Sequence, residues 1–145
     1  MKRRSYMGST VGFYVCACAV LLVAFAAAGF ADQTTDDYSM LMKPAAAANG
    51  MLQKNVAGDL KAAAANAADV QADFAKIEAF WTMRGASDAV GFAKAVQAAA
   101  KDAQDAANAG DAAGAQAAAK KIGANCGMCH MAHRAKDDSG AFMLK

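Results

Sequence analysis

Apolar side chains recur along most of this chain in alternating steps of three and four. Leu60, Ala63, Ala67, Val70, Phe74, Ile77 and Trp81 keep that spacing without a break, which puts them on one stripe of a helix. A thinner stripe, Phe92, Val96, Ala99, Ala103 and Ala106, predicts another helix. Upstream, Tyr38, Leu41, Met42, Ala45, Asn49, Leu52 and Val56 share one face at about 100° per residue, with Met40 and Met51 on the far side. Downstream, Ile122, Cys126, Cys129, His130 and His133 share a face in the same way. Gly58-Asp59, Gly85-Ala86-Ser87-Asp88 and Gly110-Asp111 punctuate the pattern. Each puts a glycine where a helix can end and an Asp or Ser where the next can start. The helices predicted are Asp36 to Ala57, Leu60 to Arg84, Ala89 to Ala109 and Ala112 to Lys136. Short turns between long helices make neighbours antiparallel, so the fold class expected is all-α, an up-down four-helix bundle. No strand pattern is evident, and Asp137 to Gly140 read as a fraying end with a short tail.

Composition supports the helices. Alanine runs dominate, β-branched residues are few, and Pro44 is the single proline, a balance that favours helix almost everywhere. Pro44 falls within the first helix and frees the carbonyl of Met40. The helix must therefore bend there, or its regular part must begin at Lys43.

The N-terminal residues do not fit the bundle. Lys2, Arg3 and Arg4 precede an uncharged apolar block from Val11 to Ala28, followed by small residues at Gly29 and Ala31. This is the pattern of a secretory signal over residues 1–31, cut after Ala31, with an uncleaved membrane anchor as the alternative because the block is near spanning length. Cys16 and Cys18 lie within it. The remaining domain, residues 32–145, carries 12 basic and 13 acidic residues once Lys2, Arg3 and Arg4 are set aside, a net charge of −1. No nucleic-acid or anionic-membrane surface is implied.

Only Cys126 and Cys129 remain in that domain, within Cys126-Gly127-Met128-Cys129-His130. Cys-x-x-Cys-His is the attachment site of a c-type haem, in which two thiols add to porphyrin vinyl groups and the histidine ligates iron. On a helix, positions i, i+3 and i+4 share a face, so both sulfurs and the imidazole can meet one flat cofactor. The competing chemistries are poorer matches. A thioredoxin-like pair expects a βαβ pattern, zinc expects more ligands than His133 can add, and a disulfide across one helical turn would be strained. Export agrees with covalent haem attachment, and no cysteine is left for a disulfide framework.

Met42 is on the inward face of the first helix and Met40 is not, so Met42 is the methionine placed to approach a buried cofactor. Periodicity alone reads it as ordinary core before it reads it as a ligand, methionine being a good gap-filler. Asn49 is expected as an interior amide and Tyr38 as core or edge packing. His133, one turn after His130, stands on the same side of the ring plane and is expected to line the cofactor edge, with a propionate as a possible partner. Arg134 has the same choice between a propionate and solvent.

Together these residues resemble the cytochrome c′ family, and within it the cytochrome c-556 type. Leu41-Met42-Lys43 resembles the family's first-helix Leu-Met-Lys, and Trp81 followed by Phe92-Ala93-Lys94-Ala95-Val96 resembles its third-helix entry. The terminal motif with Arg134 resembles Cys-x-x-Cys-His-x-x-aromatic-Arg. The resemblance implies one covalent haem c, His130 as the proximal ligand, Met42 as the sixth ligand, and Arg134 near the haem edge. It implies a periplasmic electron carrier serving periplasmic or membrane redox proteins, with a homodimer possible. The alternative within the family is a five-coordinate cytochrome c′ that binds nitric oxide or carbon monoxide. Two features depart from the family: His133 stands in place of the aromatic residue, and the second helix runs almost directly into the third. No enzyme is expected, since no acid and base pair up around a substrate pocket and Glu78 is the only glutamate.

Overall fold

The computed structural model describes residues Thr34–Lys145, so the secretory signal and anchor readings of residues 1–31 lie outside the described residues. Four helices follow one another: α1 Thr35–Asn55, α2 Leu60–Met83, α3 Ser87–Asn108 and α4 Ala112–His133. Each packs chiefly against its neighbours in sequence, and the chain reverses at each short turn, giving a four-helix bundle.

Local chemistry explains where the helices begin and end. Thr34 caps α1 by accepting from the Asp37 N–H (3.2 Å), while its own N–H donates to the Asp37 carboxylate (2.9 Å), a reciprocal capping box. Asp59 accepts from the Ala62 amide and Asp111 from the Gly114 amide, starting α2 and α4. Gly85 and Gly110 take the left-handed backbone (φ 70° and 77°) that lets α2 and α3 stop. Gly58 does not, and α1 already ends at Asn55, two residues before the expected boundary. The helix runs through Pro44 rather than starting at Lys43. Pro44 and Met40 are exposed, so water can serve the carbonyl that proline leaves without an amide.

The α2 stripe is buried from Ala63 to Trp81 as expected, with Leu60 half-buried. In α3 Val96, Ala99 and Ala103 are buried, but Phe92 and Ala106 only partly, since Ala89, Ala93, Ala100 and Ala107 turn most directly inward. Asn49 of α1 is half-buried and accepts from Gln53 rather than forming an interior amide. Of the 23 buried apolar residues among those described, 14 are alanine, so the large side chains decide where the interior is wide. Those are concentrated in α2, at Phe74, Ile77, Phe80 and Trp81.

The C-terminus departs from expectation. α4 stops at His133, and the residues read as a fraying end form a hairpin, in which β1 (Arg134–Lys136) pairs antiparallel with β2 (Phe142–Leu144). The Asp137 carboxylate organises the turn, accepting from the Ser139 N–H, the Ser139 hydroxyl and the Ala141 N–H. Lys145 then ties the tail to the end of α4. Its backbone N–H donates to the His133 carbonyl (3.0 Å) and its Nζ to the Met131 carbonyl (2.7 Å), satisfying acceptors that a helix end leaves open.

A cleft between the first and last helices

α1 and α4 are the pair of bundle neighbours that approach each other least. At one end Gln53 of α1 donates to the Ala119 carbonyl of α4 (2.8 Å) and joins them. At the other end they part around a cleft of about 270 Å³, which opens between Met42 and Lys43 of α1, Cys129 and His130 of α4, and Phe142 and Met143 of the hairpin. A narrower hollow continues inward past Phe92 and Asn125 and is lined by Cys126. Tyr38, Met42, Cys129 and His130 line both spaces. The sequence-derived candidates Met42, Cys126, Cys129, His130 and Arg134 are thus brought to two adjoining spaces, with Cys126 lining the inner one and Arg134 the outer.

Burial sets the protonation of these groups. Cys126 and Cys129 are half-buried free thiols. Burial pushes Cys126 up, and it pushes Cys129 up to about 11, with smaller contributions from neighbouring Cys126 and Asp88. Burial, with the Arg134 cation second, holds His130 below the usual histidine value. Its imidazole is therefore neutral at pH 7 and keeps a lone pair for a metal. Among the described residues no three His, Cys, Asp or Glu side chains converge as a metal cage. The donor set that does converge is two thiols, one neutral imidazole and one thioether, spread over two facing helices. That set fits a flat covalent cofactor whose own ring supplies most of the metal ligands.

An aromatic wall backs the cleft. Tyr38, Phe80 and Trp81 have ring centroids 4.8 to 5.3 Å apart, and the Trp81 Nε1–H donates to the Tyr38 hydroxyl (3.2 Å). Tyr38 packs at the edge of the core, as the sequence suggests, and also lines the cleft, and burial pushes its phenol up to about 12. His133 also lines the cleft as expected, but its Nε2 lies 2.9 Å from Asp88 Oδ2 and its ring leans on Trp81 with centroids 4.8 Å apart. That nitrogen is thus taken by Asp88 at the start of α3 and is not left for a propionate. Burial pushes Asp88 up, but the Ala89 amide and His133 outweigh it and hold the carboxyl below its ordinary value. The Arg134 guanidinium carbon sits 3.2 Å from the Phe142 ring centre, so this cation is half-buried against the hairpin rather than free in solvent.

Sequence reasoning missed the hairpin residues Phe142, Met143 and Leu144 as lining groups, and Asp88 as the partner of His133. A signal for the first existed in Asp138-Ser139-Gly140 between two three-residue runs, a turn composition set between strand-length segments. For the second there was none, because the two residues lie 45 positions apart. Comparison with known proteins returns no family model, no curated protein and no solved structure that matches this chain.

Proposed function

We propose that this chain is a periplasmic c-type cytochrome that carries electrons, in which Cys126 and Cys129 would hold one haem c covalently and His130 and Met42 would ligate its iron. The observation that carries this reading is that Met42 of α1 lines the same two spaces as Cys129 and His130 of α4. Donors from two different helices would then be available to one cofactor. The bound group supplies a one-electron couple, and the chain supplies the rest.

His130, kept neutral by burial, offers a nitrogen lone pair. Met42 offers a thioether, a ligand that tends to raise the potential in cytochromes of this ligation. With both His130 and Met42 bound, the iron would have no open position for exogenous gas, and it would supply electron transfer without a change of ligands. Tyr38, Phe80 and Trp81 keep water from the back of the cleft, and low polarity there disfavours the more highly charged oxidation state. Arg134, at the outer part of the cleft, provides a cation for the acid groups of the cofactor.

The test is the visible spectrum of the purified holoprotein, ferric and ferrous, with and without carbon monoxide. A low-spin spectrum that resists carbon monoxide and turns high-spin in Met42→Ala is expected. Ready uptake of carbon monoxide by the ferrous wild type would favour the five-coordinate gas-binding protein instead. A preparation from which acidified acetone extracts all the haem would end the covalent reading altogether.

A further inference from the structure

We propose that Phe142 is a positioning residue: its ring seats the Arg134 guanidinium at the lip of the cleft and leaves the N–H edge of that cation free for the carboxylates of the proposed haem. This rests on the electron-carrier reading and gives the hairpin a part in setting the reduction potential. The two residues meet because α4 stops at His133 and Arg134 takes an extended backbone (φ −118°, ψ 131°) as the first residue of β1. The register opposes Arg134 to Leu144 and Lys136 to Phe142, and directly opposed residues of an antiparallel pair share a face. Phe142 is thus the diagonal neighbour of Arg134. The guanidinium carbon stands 3.2 Å from the ring centre, with Lys136 Nζ at 5.3 Å.

Core packing does not account for this ring. Leu144, on the same strand, packs against the core, whereas Phe142 is 53% exposed and stands outside it. The partners its ring does have are two cations. The Arg134 donors, in turn, lack a protein acceptor. Among the described residues the ion pairs are Lys76–Asp73, Lys94–Glu78, Lys101–Asp105 and His133–Asp88, and no hydrogen bond from the Arg134 guanidinium accompanies them. At 3.2 Å the ring and the guanidinium must lie nearly flat on one another. A guanidinium carries its N–H groups in its own plane, so a ring against its face leaves the edge available for bidentate pairing. Both residues line the outer space together with Met42 and His130. A long side chain fixed before its partner arrives loses less freedom on pairing, and a fixed cation beside carboxylates offsets their charge and favours the ferrous state.

The experiment is potentiometric titration of the purified holoprotein, read in the visible spectrum, for wild type, Phe142→Ala, Arg134→Gln and the double variant. At fixed applied potential Phe142→Ala should raise the ferric-to-ferrous ratio about threefold, the order expected for losing one cation–aromatic contact. Arg134→Gln should raise it further. Adding Phe142→Ala to Arg134→Gln should then change the ratio by less than about 1.5-fold, because the ring has no cation left to hold. Phe142→Tyr should keep the wild-type ratio, whereas Phe142→Leu, which retains apolar bulk without the ring, should resemble Phe142→Ala. In the ferrous protein the Arg134 Nε–H resonance, displaced upfield by the ring, should move toward the position of a free arginine in Phe142→Ala. Circular dichroism checks that each variant is folded. Equal effects of Phe142→Ala with and without Arg134 would overturn the proposal, because the ring would then act only by covering the cleft. So would a wild-type ratio in Phe142→Leu. A preparation without covalent haem would bring down the electron-carrier reading and this inference with it, whereas additivity in the haem-loaded protein would sink this inference alone.

Discussion

The two ends of the bundle are built on different principles. Where α3 leads into α4, the interior is alanine upon alanine, with Ala99, Ala100, Ala103 and Ala107 facing Ala115, Ala118 and Ala119, all buried. Small side chains let helices approach closely, so this end is packed tightly. At the other end Phe74, Phe80 and Trp81 of α2 hold the interior wide, and α1 and α4 part around the cleft. The closed end gets its stability from close packing and good helix formers, although each alanine buries little area. The open end has larger side chains but gaps between them. A chain can thus keep its topology at one end and leave a cleft at the other.

The comparison is broken most severely by withholding the proposed cofactor. The cofactor-free chain should melt well below the holoprotein and with lower cooperativity, since a large part of the packing at the open end is missing. Calorimetry of both forms checks this. A cooperative apo melt close to the holo one would mean that the alanine-packed end stabilises the molecule alone.

Next come paired substitutions at the two ends. Trp81→Ala removes a ring that is 2% exposed and touches Tyr38, Phe80 and His133, and should cost about 3–5 kcal/mol. Ala100→Leu at the closed end, where Ala100 is 0% exposed, should cost about 1–3 kcal/mol through overpacking. Urea denaturation of the holoprotein measures both. If Ala100→Leu were neutral, the closed end would be looser than its burial indicates.

One component of the alkaline pH dependence should appear only where the cleft holds free thiols. Burial raises Cys129 from the ordinary 9.0 to about 11 in the folded cofactor-free chain. As pH climbs past 9 the unfolded thiol gives up its proton while the folded one keeps it. The stability present below pH 9 is then lost progressively toward about 11. The urea midpoint of the cofactor-free chain should fall over that range. The holoprotein, whose sulfurs would be thioethers, should lack this component.

The smallest effect expected is that of Asp137→Ala, which deletes the acceptor for three hairpin-turn donors. Global stability should hardly change, but amides of Phe142 to Lys145 should exchange faster with deuterium, and the ferrous site of Met42→Ala should admit carbon monoxide sooner when the two changes are combined. Unchanged exchange would show that Lys145 fastens the tail without the turn.

The four helices were legible because periodicity, capping residues and glycine stops act within a few residues of one another. The same locality carried Cys126, Cys129 and His130 to one face and separated Met42 from Met40. It failed at the C-terminus, where the helix pattern was extended three residues too far and a hairpin was read as a fraying tail. Three-residue strands carry too short an alternation to stand out, and this pair is held by the Asp137 turn and by Lys145 reaching back to α4.

What the sequence by itself determined, then, is the number, order and inward faces of the helices, and the clustering of two thiols and an imidazole on the last of them. Only the tertiary structure decided that Met42 lines the cleft with His130, that Tyr38 joins Trp81 in its wall, that Asp88 takes the Nε2 of His133, and that the hairpin forms the lip. The reason is physical. Helix formation and capping are settled by neighbours in sequence, whereas a cleft depends on side-chain volumes from several helices at once, and no single segment encodes where the packing will leave space.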